Sequence, residues 1–410
     1  MPMLIRIAWR NIWRQKRRTM ITVGAMSAGL AFCMAMVAFI DGFVIDMFEV
    51  MVTESQGHAQ LHHPEYPKKR AMYESISDAD ALLTQLEGRP EVARASARLF
   101  GASLLGSEAA TVGVQLTGIE PAHEAALTKL DEKVTEGRYL AAEPKREIVI
   151  GYKLAKKLKV ELGDEVVAVT QSADGAMGNE LYTVVGLLKT GSVAQDKAGA
   201  FLHLADAQAL LALDGQVHEI SLVAPTREGI DAMIGAVETI GAEQGLLVRS
   251  WSAINPQLAQ YLQMGDASLG VLLFIIFGVA GIGILNTMLM SVFERTKELG
   301  VIRALGLRPL QMVSLVLWET VALVVVAVAI GVPLGLGFDA YLIHHGLDLS
   351  SVYSDVSMMG VNFDPVMRGA FRADRVFQIV IGLLTISLLA AIWPSIRAAR
   401  LQPVEAMRMD

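Results

Sequence analysis

One cysteine in 410 residues, Cys33, leaves the chain without an intramolecular disulfide or a cysteine-based zinc site. Set in an apolar run, it reads as a small buried residue. Charge is scarce too, at 19% Asp, Glu, Lys and Arg against the roughly 25% of a typical soluble domain. No G-x-x-x-x-G-K-[ST] stretch occurs, so the chain builds no Walker loop for nucleotide phosphates. G-x-S-x-G and H-E-x-x-H are also missing, which removes nucleophile-elbow hydrolases and helical zinc proteases. Acids are absent from residues 1–18, where Arg6, Arg10, Arg14, Lys16, Arg17 and Arg18 stand. Apolar residues, by contrast, make up 53% of the chain and collect in a few long runs, with a mean hydropathy of +0.44. This is the composition of a membrane protein with a large water-exposed part.

Crossing the hydrocarbon core takes about 20 predominantly apolar residues. The stretches 19–43, 266–293, 311–340 and 376–394 meet that need. Basic residues cluster in 1–18, again at Arg295, Lys297, Arg303 and Arg308, and again at Arg397 and Arg400. All three clusters fall on one side of a four-span arrangement. The positive-inside rule then predicts a multi-pass protein of the plasma (inner) membrane with both termini cytoplasmic. Residues 44–265 become an extracytoplasmic domain, acidic in balance with 30 Asp and Glu against 19 Lys and Arg. The first apolar run is too long for a signal peptide and has no A-x-A-like cleavage site, so a retained anchor is expected.

Residues 1–18 carry a helical pattern. Arg6, Arg10, Arg14 and Arg17 share one face, with Leu4, Ile5, Ala8, Trp9 and Ile12 on the other. The pattern predicts a cytoplasmic amphipathic helix in the headgroup layer, with Arg6, Trp9, Arg10, Trp13 and Arg14 as its membrane-interface residues. The alternative is a plain topology signal without a defined helix.

The 44–265 stretch mixes both periodicities. REIVIGYKLAKKLKVELGDEVVAVTQ reads as a strand, a short helix, a turn at Leu162-Gly163-Asp164, and an alternating strand. LYTVVGLLKTG and ISLVAP read as strands, and DAQALLAL and REGIDAMIGAVETIGA as helices. The predicted fold class is an integral membrane protein with four transmembrane α-helices and a large α+β extracytoplasmic domain between spans one and two. His58, His62 and His63 could in principle hold a metal, but no carboxylate or thiolate recurs at ligand spacing, so they read as a strand and loop near the membrane. Residues 341–375 form the second outer loop, in which His344 and His345 read as solvated. Gly278, Gly281 and Gly283, and Gly331 and Gly335, offer small-residue contact faces in spans two and three. Glu319 lies within span three, where a carboxylate is costly. Pairing with a nearby arginine and a transport role stand level for it.

Between spans two and three runs SVFERTKELGVIRALGLRPLQ, Ser291 to Gln311. Glu294 and Lys297 sit at i, i+3; Val301, Ile302 and Leu305 share a face; Gly306 and Pro309 stop the helix. Glu294 and Glu298 project over that same apolar face, so the residue pattern alone leaves a capped, solvated loop helix as the plainer reading. If ATP drives this chain, another polypeptide hydrolyses it and must touch residues 1–18, 294–310 or 395–410. Only 294–310 is held by spans at both ends.

ERTKELGVIRALGLRPLQ resembles the signature of the FtsX-like permease family, which includes lipoprotein-release permeases and the membrane parts of macrolide-exporter-type ATP-binding-cassette transporters. LIRIAWRNIWRQKRRTMIT is similar to that family's amphipathic helix and first span, and GHAQLHHPEY to the start of its outer domain. IVIGYKLAKKLKVELGD is similar to a recurring segment within the outer domain, and RAARLQPVEAMR to the cytoplasmic tail. The resemblance implies a dimer, with itself or with a paralogous permease, bound to a separate cytoplasmic ATPase that carries the ATP and magnesium. The chain itself would be non-catalytic and bind no cofactor, metal or nucleic acid. Residues 294–310 would be the coupling helix, docking the ATPase through Arg295, Lys297, Glu298, Leu299, Ile302, Arg303, Leu305 and Gly306, with Glu298, Leu299, Ile302, Arg303 and Leu305 in direct contact. No ATPase domain is fused here, which fits the separate-subunit, lipoprotein-release type. The implied function is to couple ATP hydrolysis to motion of the outer domain and so release lipoprotein or other amphipathic cargo. The alternative is mechanical signalling, in which the same motion activates a periplasmic or outer-membrane partner or a cell-wall hydrolase. A sensor receptor without an ATPase stands last.

Overall fold

The computed structural model describes residues 2–14, 16–348, 357–358, 361–362 and 366–400. Most of the second outer loop beyond residue 348, and the tail from residue 401 with the end of RAARLQPVEAMR, lie outside the described residues. The chain separates into two compact units, one built from residues up to Ile45, from Tyr261 to residue 351 and from Val366 onward, the other chiefly from Asp46–Gln260.

The first unit is helical. An N-terminal helix, Pro2–Arg14, precedes four helices long and apolar enough to cross a membrane: Lys16–Thr53, Pro256–Glu294, Pro309–His345 and Ala373–Ala399. They are spans 1 to 4. Each begins before the apolar window that marks it in the sequence and runs past its end, because backbone hydrogen bonding does not stop where hydropathy falls. Span 2 has 39 residues, about 58 Å at 1.5 Å per residue, against a hydrocarbon core of about 30 Å. It starts at Pro256, so the last residues of the expected 44–265 domain are already the head of this helix.

Its core draws on Val23, Met26, Leu30, Cys33 and Met34 of span 1, Ile284 and Met288 of span 2, Leu315, Val324 and Ala327 of span 3, and Ile379 and Leu383 of span 4. Spans 1 and 3 approach at glycines. A Cβ on Gly331 would lie 2.9 Å from the Ser27 carbonyl oxygen, and one on Gly335 would run into the Met34 side chain. The Ser27 hydroxyl donates to the Ala327 carbonyl at 3.0 Å, closing the same seam. Of the three span-2 glycines only Gly281 meets a neighbour, the Ile386 side chain. A Cβ on Gly278 or Gly283 would meet no atom among the described residues, so neither glycine is needed for a close helix approach.

The second unit, placed by the chain between spans 1 and 2, is α+β. Its ten strands are β1 (Ala59–His62), β2 (Arg94–Gly106), β3 (Thr111–Ile119), β4 (Val134–Gly137), β5 (Glu147–Gly151), β6 (Glu165–Gln171), β7 (Met177–Leu188), β8 (Gly199–His203), β9 (Glu219–Val223) and β10 (Leu247–Ser250). They form one mixed sheet in the order β10-β1-β9-β2-β3-β8-β5-β7-β4, with β6 joining β2 and β7. The β3–β8 and β5–β7 pairs are parallel and the others antiparallel. The predicted strand, helix, turn and strand appear as β5, Tyr152–Leu158, Gly163 at φ +90° and β6. Helices Leu204–Leu211 and Ile230–Glu243 match the apolar spacing that announces them.

A buried ion cluster holds the middle of the sheet. Arg98 donates to Glu124 at 2.7 and 3.0 Å and to Glu219 at 3.0 Å, while Ser96 and Ser221 each donate to one of these carboxylates at 2.7 Å. Burial opposes charge on Glu124, but Arg98, Ser96 and Thr128 outweigh it and hold the carboxyl below its usual range. The histidines are built into this unit. His58 accepts the Ala224 N–H on Nδ1 at 3.0 Å and donates from Nε2 to Thr53 Oγ1 at 3.0 Å. His62 and His218 each stack on Tyr66, and His63 lies 2.6 Å from Glu74.

Candidate functional site

Span 2 ends at Glu294, and Arg295, at φ −104° and ψ 14°, breaks the helix. A short connecting helix, Thr296–Ala304, follows. The Thr296 hydroxyl reaches back to the carbonyls of Val292 (3.1 Å) and Phe293 (2.8 Å), tying the new helix to the old one. Gly306 ends it at φ +100°, a conformation that strains any side chain with a Cβ. Pro309 then opens span 3 where its missing N–H costs nothing, and the Gln311 side-chain oxygen accepts the Arg308 N–H at 2.9 Å.

An ion network fixes this helix. Arg295 donates to Glu319 of span 3 at 2.9 Å and to Glu298 at 3.3 Å. Asn11 of the N-terminal helix donates to the same Glu319 oxygen at 2.6 Å. Arg14 reaches Glu298 at 2.8 Å, and Arg18, at the foot of span 1, reaches Glu294 at 3.2 Å. The Arg295 side chain is 13% exposed and that of Glu319 9%. Burial works against the Arg295 charge, but Glu319 and Glu298 more than offset it and hold the guanidinium firmly protonated. Glu319 therefore has a partner: it is the buried post on which the connecting helix and the N-terminal helix both hang.

The eight residues singled out on this segment divide by exposure. Leu299 is 3% exposed and packed into the membrane-helix core, which removes it from any docking surface. Arg295 faces inward to Glu319, so it anchors rather than docks. Ile302 packs partly against the core, and Arg303 is half-buried. Glu298 is gripped by Arg14 and Arg295. Lys297, Leu305 and Gly306 are exposed, as is Val301, and Leu305 is 82% exposed. A helix with one side bolted to the spans and apolar residues on the other can transmit force between a partner and the spans.

In the N-terminal helix, Ala8 and Ile12 are buried and the helix packs on span 3. Trp9 and Trp13 stand outside, edge-on to each other at 6.1 Å, with Arg6 and Arg10 exposed. Trp9 is exposed while Ala8 and Ile12, which helical spacing groups with it, are buried, and Arg14 holds Glu298 instead of pointing only at phosphate. Asn11 is the member that sequence reading passes over. Its signal was a lone amide one turn from Arg14 and on the side of Ala8. A second polar set, Asp41, Asp339 and Arg375, lines a small hollow at the other end of the spans, with Arg375 Nε 3.5 Å from Asp41.

Known proteins match both parts of the chain. Residues 19–240 match the MacB-like periplasmic core domain, and residues 270–403 the FtsX-like permease C-terminal family. The chain is 24% identical over 414 residues to the lipoprotein-releasing system transmembrane protein LolC of Neisseria meningitidis, spanning 96% of this chain and 94% of that protein. It is 21% identical to the lipoprotein-releasing system transmembrane protein LolE of Haemophilus influenzae, with 98% of each covered. It is 23% identical to the macrolide export ATP-binding/permease protein MacB of Nitrosomonas europaea, which it covers over 99% of its own length and 59% of that protein's. With a core-domain match over more than half its residues and a permease match over the spans that follow, the chain belongs to the FtsX-like permease family, as an ATP-binding-cassette transporter permease of the LolC, LolE and MacB type.

Proposed function

We propose that this permease couples ATP hydrolysis by a separate cytoplasmic ATPase to motion of its extracytoplasmic domain, and that the motion releases lipoprotein or a similar amphipathic cargo. The observation that carries this reading is the two-sided connecting helix. Leu299 and the Arg295–Glu319 pair fix it to the spans, while Val301 and Leu305 stand exposed. Val301 and Leu305, exposed together on a charged segment outside the apolar spans, offer a small apolar surface that a partner can cover. The three basic clusters support a cytoplasmic position for this surface and for both termini. ATP and magnesium sit on the ATPase, and the permease works as a pair, with itself or with a paralogue. The cargo follows the names of the lipoprotein-releasing relatives, which match this chain nearly end to end.

The test is affinity purification of the tagged chain from its native membranes in mild detergent, with ATP hydrolysis measured in the eluate. Wild type brings down ATPase activity, and Leu305→Asp loses it at unchanged permease yield. An eluate without ATPase activity in several detergents, or one that Leu305→Asp leaves at the wild-type level, overturns the reading.

A further inference from the structure

Beside the connecting helix, the feet of spans 1 and 2 enclose a cleft of about 420 Å³ lined by Arg17, Arg18, Ile21, Thr22, Asn286, Thr287 and Met290. It shares Arg18, Thr22 and Thr287 with the smaller hollow that ends on Glu319. Two of its side chains are out of place for a lipid-facing groove. Asn286 is exposed on span 2, and its amide makes no hydrogen bond among the described residues. It lies eight residues before Glu294, about 12 Å up the helix at 1.5 Å per residue. That is the depth where headgroups give way to acyl chains, and an unpaired amide there is costly unless something polar meets it. Arg17 is exposed and has no carboxylate partner among the described residues. The rim is apolar, with Ile21 67% and Met290 53% exposed.

We infer that this cleft binds one anionic glycerophospholipid, its phosphate held by Arg17 and Arg18 and its glycerol or ester oxygens by Asn286 and Thr22. Each part of the lining matches part of that ligand. Guanidinium groups pair bidentately with phosphate oxygens. The Asn286 amide and the Thr22 hydroxyl, which is likewise without a hydrogen bond among the described residues, supply donors and acceptors one to two turns deeper. Ile21 and Met290 flank the point where the acyl chains leave. A net negative headgroup is favoured over a zwitterionic one because Arg17 brings a charge that no carboxylate among the described residues neutralises. Arg18 joins the cleft to the coupling segment through Glu294, so the lipid braces the hinge at Arg295. The lipid site itself does not depend on the ATPase reading.

The experiment compares native mass spectra of the full chain released from nanodiscs of phosphatidylcholine with and without phosphatidylglycerol. Wild type retains one phosphatidylglycerol per chain through delipidation. Arg17→Gln and Asn286→Leu lower that retention at least tenfold, and Asn286→Gln restores most of it. Arg6→Gln, which removes the same charge from the N-terminal helix away from the cleft, retains the lipid as wild type does. Unchanged circular dichroism melts show that the variants fold. Equal loss in Arg6→Gln, or full retention in Asn286→Leu, reduces the effect to diffuse surface attraction and overturns the site. Displacement of the lipid by inorganic phosphate would make it a free-phosphate site, and a fall from dimer to monomer in Asn286→Leu with lipid retention unchanged would give the cleft to a second copy. Either result overturns the lipid assignment.

Discussion

Replacing Glu319 by leucine tests the anchor directly. The substitution removes the carboxylate that both Arg295 (2.9 Å) and Asn11 (2.6 Å) hold, and leaves a guanidinium that is only 13% exposed. Breaking a fully buried pair from one side costs about 3–5 kcal/mol. Here Glu298 still reaches Arg295 at 3.3 Å and some solvent screens it, so the cost falls to about 2–3 kcal/mol. The loss is local, because the pair joins the connecting helix to span 3 and does not hold the outer sheet. Hydrogen exchange of the full chain in nanodiscs reads it. Amides of Thr296–Ala304 should exchange roughly 30- to 150-fold faster, at about 1.4 kcal/mol per factor of ten. The double variant Arg295→Leu/Glu319→Leu should recover most of the protection, since an apolar pair leaves no uncompensated charge. If Glu319→Leu exchanges within about twofold of wild type, the usual scatter of such cycles, the anchor argument is refuted. Uniform acceleration across all helices would refute it equally, by showing a global role.

Three further outcomes follow from the packing. Burial, with Arg94 and Arg227 nearby, lowers the His58 pKa to about 4 from 6.5, so its contribution is complete above pH 6.5 and is lost as pH falls toward 4, roughly 3 kcal/mol in all. A titration of His58 by NMR giving a pKa near 6.5 or higher would contradict this. Arg98→Met leaves Glu124 and Glu219 buried without their cation and should destabilise the outer domain by about 3–5 kcal/mol, read as a lowered unfolding midpoint. It should also lift the Glu124 pKa, because burial then acts without the cation, so the variant should regain part of its lost stability as pH falls and the buried carboxyl is neutralised. Gly331→Ala pushes a Cβ against the Ser27 carbonyl and should cost about 1–3 kcal/mol in thermal melts, whereas Gly283→Ala, facing open space, should be neutral or stabilising by up to about 1 kcal/mol. Equal melting of the two variants would show that the spans 1 and 3 seam is loose.

The four spans were legible because a bilayer imposes a length and a polarity that composition alone must satisfy. Their ends were not, since helix geometry continues past the apolar window, as Pro256 shows at the head of span 2. In the outer domain, local alternation announced β5, β6 and β9, but the mixed sheet order rests on pairings between residues as distant as Arg94 and Val223. No local period encodes such a partner.

The connecting helix shows the same division at one site. Its start, its stop at Gly306 and its charge pattern were written in the sequence, because chain breaks and helix propensity are local properties. Which of its residues stay exposed was decided only in three dimensions. Leu299 and Leu305 look alike in sequence, yet the first is 3% exposed and the second 82%. Glu319 needed the fold as well: an isolated acid in an apolar run has no assigned partner until Arg295 and Asn11, 24 and 308 residues away, converge on it. Sequence alone determined how many times the chain crosses the membrane and where it breaks between spans, since hydropathy and backbone stereochemistry act residue by residue. Tertiary structure decided which charges are anchors and which surfaces are left exposed, since burial and pairing are properties of side chains brought together from distant parts of the chain.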